Sequence, residues 1–401
     1  MDSMRMIVFV SNFMNHHQLP FSMEMLRRND VEYTFIALEP IPKERLDMGY
    51  EDMNHKYEFV LCAYDSDDNM RQAKDLIDSA DVAIFGSCLD IFMKRRIRKG
   101  KLCLKFSERF FKEGAGITRI PHNLASAWKH LKPFEKTSLY FFCSSAYTTA
   151  DLNRYTDFKR RTFKWGYFPE TKKYDVVELM SKKLSVTYEW KRPVVSILWA
   201  GRLIGWKHPD ASILLAESLK KHRYKFKLTV IGNGHMEQEL HMMISEKGLD
   251  DCVEMPSAMS PEKVREHMEK ANIFLFTSDF NEGWGAVLNE SMNSGCAVVA
   301  SHAIGAVPYL VKHKENGLIY HSGNIDELYE NVKYLLDNPA EQERLGRAAY
   351  ETIVGEWNAE TAAERLVALS QKILDGEKQP DLFETGPCSR AEIIQDNWFN
   401  P

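Results

Sequence analysis

Phe274-Leu-Phe-Thr-Ser-Asp-Phe-Asn-Glu282-Gly-Trp-Gly-Ala-Val-Leu-Asn-Glu290-Ser-Met-Asn-Ser-Gly295 changes character twice along its length. Its start, within the run Ile273 to Thr277, has the apolar pattern of a buried strand. A polar loop follows, in which Gly283 and Gly285 allow backbone to approach a ligand closely. Ala286 to Asn293 then reads as a helix, with Gly295 as its stop. The helix start offers free N–H groups and a positive dipole end, which suits a phosphate. Glu282 falls in the loop and Glu290 about one and a half turns into the helix, so at ~1.5 Å rise per residue the carboxylates stand roughly 10 Å apart. That separation suits two ends of one extended ligand better than an acid and base pair.

Outward from this segment the same alternation repeats. Upstream lie strand Val194 to Trp199, helix Ser212 to Lys220, strand Lys227 to Ile231, helix Met236 to Lys247, strand Val253 to Met255 and helix Pro261 to Lys270; downstream lie strand Ala297 to Ser301 and helix Val307 to Val311. Helical patterns at Ile325 to Leu336 and Asn358 to Leu374 close the series. An earlier series has strands at Met6 to Ser11, Tyr33 to Leu38, Phe59 to Cys62, Val82 to Phe85, Leu102 to Phe106 and Leu139 to Cys143. Two such series predict an α/β protein of two Rossmann-like domains facing each other across a cleft. The loosened stretch 165–193 marks the boundary: residues 1–168 form a first domain, 169–375 a second, and the tail 376–401 is free or packs back on the first.

A chain of 401 residues exceeds what one hydrophobic core usually supports, in keeping with two domains. No apolar run approaches the ~20 residues of a membrane span, and Ile7 to Val10 is too short for a signal-peptide core, so a cytoplasmic protein is expected. Seven cysteines without a Cys-x-x-Cys pair argue against a disulfide framework and a structural zinc site. The net charge of −5 conceals an asymmetry: residues 1–93 carry 8 Lys/Arg against 17 Asp/Glu, residues 94–164 carry 18 against 5, and residues 165–401 carry 26 against 35. The basic middle is densest at Lys94, Arg95, Arg96, Arg98, Lys99 and Lys101, interleaved with Phe92, Ile97, Leu102 and Phe106. A solvated helix end, peripheral contact with an anionic membrane, or a phosphorylated substrate each answers such a stretch; nucleic acid is disfavoured in an acidic chain without a nucleic-acid module.

The motif Glu282-Gly-x-Gly with Glu290 eight positions on resembles the Glu-x7-Glu motif of the retaining GT-B glycosyltransferases of family 4, the glycosyl transferases group 1. The likeness extends to Trp199-Ala-Gly-Arg202-Leu-Ile-Gly-Trp-Lys207-His-Pro-Asp210, to Val230-Ile-Gly-Asn-Gly234, to Gly295-Cys-Ala-Val-Val-Ala-Ser and to Glu315-Asn-Gly-Leu-Ile. It covers residues 194–370 well and the first half in architecture alone. It implies transfer of a sugar from a nucleoside diphosphate sugar, a UDP-sugar being favoured, to a glycan or lipid-linked acceptor, with retained configuration and without a metal or other cofactor. By that resemblance Arg202 and Lys207 bind the donor diphosphate, Glu290 receives the ribose hydroxyls, and Glu282 holds the donor sugar, these three groups other than Glu290 being the catalytic set. The donor site would be completed by Gly201, Gly232, Met255, Ser257, Gly283, Trp284, Gly285, Ala286 and Val287. Tyr309 departs from the glutamate common at its position.

The first half offers weaker candidates for the acceptor side. His16 and His17 lie in the loop after the first strand, where they could contact acceptor or phosphate or cap the next helix; Glu108 and Arg109 follow the strand Leu102 to Phe106, and His122 is the nearest histidine downstream. Asp65-Ser-Asp67-Asp68 has the letters of a metal-binding Asp-x-Asp motif but sits far in sequence from the expected donor site. Two rivals share the architecture: a nucleotide-sugar epimerase, for which no acid and base set is evident, and a non-catalytic nucleotide-sugar-binding protein.

Overall fold

The computed structural model describes residues 5–43, 46, 51–88, 90–112, 124–125, 129, 131–184, 188–189 and 192–401. His122 lies outside them. The chain forms two compact units, Met1–Glu170 with Asn358–Gln395, and Thr171–Trp357 with Asp396–Pro401.

The first unit is built on a parallel sheet of seven strands: β1 (Arg5–Ser11), β2 (Val31–Ala37), β3 (Val60–Cys62), β4 (Val82–Phe85), β5 (Leu102–Ser107), β6 (Leu139–Cys143) and β7 (Thr162–Lys164), in the order β3-β2-β1-β4-β5-β6-β7. Short, wholly buried strands such as Val82–Phe85 carry no alternation because helices cover both faces of a parallel sheet.

After a small antiparallel pair, β8 (Tyr188–Glu189) and β9 (Arg192–Pro193), the second unit has six parallel strands: β10 (Val195–Ala200), β11 (Phe226–Ile231), β12 (Val253–Glu254), β13 (Ile273–Phe276), β14 (Ala297–Ser301) and β15 (Leu318–Tyr320), in the order β12-β11-β10-β13-β14-β15. Ile197, Trp199, Leu228, Val230, Ile273, Leu275 and Val299 face one core with Leu215, Leu219, Leu240 and Leu328 from the covering helices. Both sheets change winding direction once, between β1 and β4 and between β10 and β13, and ligands of open α/β sheets bind outside the carboxyl ends of strands at such a point. Both units are Rossmann-like.

Three elements differ from the sequence expectation. Helix Ala359–Leu374, expected to close the second domain, belongs to the first unit, where it packs on helix Leu19–Leu26. The tail does bond to the first unit, with Lys164 N donating to Ser389 O at 2.8 Å and Ala391 N to Thr162 O at 3.1 Å, but Asp396–Pro401 belong to the second. Helix Val176–Leu184 lies within the stretch read as a linker; it is anchored by Lys183, whose buried ammonium donates to Met268 O at 2.8 Å and Ala271 O at 2.6 Å, the terminal carbonyls of helix Pro261–Lys270. Desolvation drives the Lys183 pKa down, opposed in part by the neighbouring Cys296.

Candidate active site

The loops after β10 and β13 meet because those strands are neighbours. Beyond β10 the chain runs through Gly201 and Arg202 into a single 3-10 turn, Gly205–Lys207, and a left-handed His208 (φ 47, ψ 54) before helix Pro209–Lys221. Beyond β13 it runs through Thr277, Ser278 and Asp279 to Glu282 and then into helix Val287–Asn293. Asp279 N donates to Trp206 O at 3.0 Å, which fixes one loop against the other.

Lys207 and Glu282, 75 residues apart, form an ion pair at 2.5 Å with both side chains almost enclosed, 13% and 11% exposed. Ser278 Oγ donates to the same Oε2 of Glu282 at 3.1 Å. An ammonium has three N–H donors, so this pair leaves Lys207 two for another acceptor and leaves Glu282 Oε1 for a donor. Arg202 is exposed, its guanidinium lies 5.6 Å from the centroid of the Trp206 ring, and its side chain makes no hydrogen bond or ion pair among the described residues. The Lys207 ammonium lies 4.8 Å from the same ring. Trp206 thus stands beside two cations at one end of the sheet.

Glu290 sits in helix Val287–Asn293 and is half-buried. Burial pushes its carboxyl up from 4.5 to about 7, and the charge of Arg265 opposes that shift in part. Arg265 itself is held by Asn293 and, at 3.5 Å, by Tyr174.

Residues 188–352 match the family model described as glycosyl transferases group 1. The second unit is a glycosyl transferases group 1 domain. An uncharacterized glycosyltransferase of Haemophilus influenzae is 28% identical over 170 residues, 40% of this chain and 47% of that one. The amylovoran biosynthesis glycosyltransferase AmsK of Erwinia amylovora is 28% identical over 182 residues, 44% of each chain. These matches therefore span less than half the length of either relative. The structure of Anabaena HepE in complex with UDP superposes over 92% of this chain and all of that one, with a TM-score of 0.67 at 13% identity. That likeness is one of fold, and the fold is GT-B.

Within the group 1 domain several expected donor residues have internal duties. The side chain of Trp284 is wholly buried: its indole donates to Asn289 Oδ1 at 2.9 Å and it packs on Tyr309 and Trp357, so its ring faces the core and any donor contact falls to its backbone. Tyr309 is stacked on Trp357 at 5.9 Å. A Cβ on Gly232 would lie 1.9 Å from Gly201 O, and one on Gly285, where φ is +85, would lie 2.3 Å from Phe276 Cζ. Close approach of protein to protein already requires glycine at both. Gly283 and Ala286 are buried, Gly201 and Val287 half-buried, Met255 is half-buried against the domain core, and Ser257 is exposed.

The first-unit candidates do not form one group. Arg109 is buried on Asp151 at 3.3 Å, and the amides of Phe110 and Phe111 both donate to Asp151 Oδ2 at 3.0 Å. It is a structural cation rather than an acceptor contact. Glu108 accepts from Tyr167 OH at 2.8 Å and Lys112 Nζ at 2.6 Å. His16 and His17 are in ring contact at 3.7 Å, with Tyr167 5.8 Å from His17. Helix Leu19–Leu26 starts at Gln18 without a side-chain cap bond, and Asn15 Oδ1 organises the turn before it by accepting from His17 N and Gln18 N. Asp67 and Asp68 form the first turn of helix Asp67–Ser79, capped by Ser66, while Asp65 pairs with His55 at 3.2 Å.

The dense basic stretch also divides. Arg96 is fully buried and donates to the carbonyls of Leu102, Ile77 and Asp81 at 2.9, 2.7 and 2.7 Å. Arg95 and Lys99 share Asp78, at 2.6 and 3.0 Å. Arg98 is exposed without a hydrogen bond or ion pair among the described residues. No helix among these residues is long and apolar enough to cross a membrane.

Proposed function

We propose that this chain is a retaining glycosyltransferase that moves a sugar from a nucleoside diphosphate sugar to a glycan or lipid-linked acceptor without a metal ion. The observation that carries the reading is the meeting of Arg202, Lys207 and Glu282 at the point where the second sheet changes winding direction. As the glycosidic bond breaks, negative charge develops on the departing diphosphate, and the two free donors of Lys207 with the unengaged guanidinium of Arg202 stabilise it there. Glu282 anchors Lys207 through one oxygen and receives a sugar hydroxyl through the other. Glu290, in its ionised form, receives the ribose hydroxyls. No side chain is assigned as a covalent nucleophile; the leaving phosphate takes the acceptor proton. HepE, whose structure holds UDP, supports a uridine donor by analogy of fold.

Helix Asp90–Arg98 supplies a second element of the reading, an exposed face carrying Ile91, Lys94, Arg95 and Arg98 that meets an anionic membrane surface or the phosphates of a lipid-linked acceptor.

Thermal-shift measurements with UDP, GDP, ADP and CMP, with and without EDTA, test the donor site. One nucleotide is expected to stabilise the protein equally in EDTA, with affinity lower by about 10 to 100-fold in Arg202→Ala, the loss of a charge-assisted phosphate contact. Absence of any shift, or a shift abolished by EDTA, overturns the metal-independent donor site. Product analysis with and without acceptor separates transfer from epimerisation.

A further inference from the structure

Trp199, a member of the second unit's core, and Thr277 form a buried polar link beside Lys207. They are 3% and 2% exposed. Trp199 Nε1 donates to Thr277 Oγ1 at 2.8 Å, and Thr277 Oγ1 lies 2.7 Å from Lys207 O and 2.9 Å from His208 O. An indole nitrogen only donates and a hydroxyl carries one proton, so the direction is set: indole to hydroxyl, hydroxyl to the two carbonyls.

Those carbonyls belong to a short turn held internally by Lys207 N on Ile204 O and His208 N on Gly205 O, each at 3.0 Å. Three residues of 3-10 helix end in His208, whose φ of 47 and ψ of 54 place a residue with a Cβ in the left-handed region. Three contacts pin the turn to the segment after β13: the Thr277 hydroxyl on two carbonyls, Asp279 N on Trp206 O at 3.0 Å, and His208 Nε2 with Asp279 Oδ2 at 3.3 Å. The Lys207 side chain leaves from the middle of this clamp, and its ammonium ends on Glu282, five residues beyond Thr277.

We propose that the Trp199 and Thr277 pair is a positioning device for Lys207: it fixes the backbone from which the ammonium is offered to the donor diphosphate, without touching the donor. The inference rests on the donor-site reading given above. Valine has the shape of threonine and lacks the hydroxyl, so Thr277→Val removes the hydroxyl's share of the clamp and keeps the two contacts made by Asp279. Lys207 O then loses the hydroxyl, His208 O is left with the Ala211 amide at 3.2 Å, and the indole loses its acceptor.

Calorimetric titrations of wild type, Thr277→Val and Thr277→Ser with UDP and UMP test this, or with the di- and monophosphate of whichever nucleoside the wild type binds. Thr277→Val is expected to lose about ten-fold in diphosphate affinity, equivalent to 1.4 kcal/mol, with monophosphate affinity within about two-fold. Thr277→Ser restores the diphosphate affinity. In a Lys207→Ala background Thr277→Val adds nothing further, because the group it positions is gone. Equal loss for both nucleotides means general loosening and overturns the proposal, as does wild-type affinity in Thr277→Val. Should that variant fail to fold, Trp199→Phe carries the test, with a loss of about three-fold expected for the diphosphate alone. If wild type binds no nucleoside diphosphate, the donor-site reading itself fails, which is a different result from any of these.

Discussion

Arg109 and Arg202 each stand two residues past the end of an interior strand of a parallel sheet, Arg109 after β5 and Arg202 after β10. The topology treats them alike. Their surroundings do not: Arg109 is closed in against Asp151 and the Tyr147 ring, while Arg202 is exposed above Trp206. A Rossmann-like unit brings a charge to the carboxyl end of its sheet, but what lies opposite decides whether it holds the fold or stays open to a ligand. In the first unit Asp151 answers both the arginine and two backbone amides. In the second the opposing carboxylate, Glu282, is answered by Lys207 instead, and Arg202 is left for something else.

The widest separation between the two should come from removing what answers Arg109. Asp151→Ala leaves a buried guanidinium and two amides without an acceptor, and is expected to destabilise the protein by roughly 3 to 5 kcal/mol in denaturant unfolding. Arg202→Ala should change stability by no more than about 0.5 kcal/mol while lowering nucleotide affinity. If Asp151→Ala is tolerated, or if Arg202→Ala unfolds the chain, the distinction between a structural and an open arginine collapses.

Arg96 sharpens the same contrast inside one helix. By sequence it belongs to the basic stretch, yet its guanidinium satisfies three backbone carbonyls, those of Leu102 and Ile77 in buried bonds. Arg96→Met is expected to cost roughly 3 kcal/mol, since the carbonyls stay buried after their donors go.

How far residue type announces such roles differs between the two halves. The strands of the second unit follow from apolar runs, and the family resemblance names Lys207 and Glu282 for one donor site; the strand order and their ion pair are read from the structure. Arg96 and Arg109 were not legible as buried, because a cation's partners here are a distant aspartate or backbone carbonyls that no pattern marks. Thr277 and Trp199 read as the end of a strand and as core. Trp284 lies inside the most informative motif, which does not reveal that its ring belongs to the packing with Trp357. The helix Pro339–Gly355 went unread; its Gly346, a residue that weakens helices, is there because a Cβ would lie 2.4 Å from Gly295 O.

Glu290 offers a test by pH within the second unit. Its carboxyl is raised from 4.5 to about 7 by burial, so between these values the folded chain holds a proton that the unfolded chain has lost. The resulting stabilisation is complete below about 4.5 and disappears as pH rises through about 7, a total of no more than about 3 kcal/mol. Glu290→Gln, which stays neutral, should remove that slope from a series of melting curves. An unchanged slope would mean that solvent reaches the carboxylate and that another group is responsible.

The smallest effect expected on stability, and the one that bears on the acceptor side, concerns Arg98 and Ile91. Ile91 is 68% exposed and Arg98 makes no hydrogen bond or ion pair among the described residues, so Ile91→Ser and Arg98→Ala should each move stability by less than about 0.5 kcal/mol. Sedimentation with vesicles containing anionic lipid should nonetheless register both. One cation near an anionic surface contributes about 1 kcal/mol, so Arg98→Ala is expected to weaken binding about five-fold and the effect to fade with added salt. Ile91→Ser should weaken it in a way salt does not erase, because an apolar side chain entering the interface is unscreened. Equal binding of wild type to neutral and anionic vesicles would remove the membrane surface and leave the helix as an ordinary solvated face, its remaining cations answered by Asp78 and Asp90.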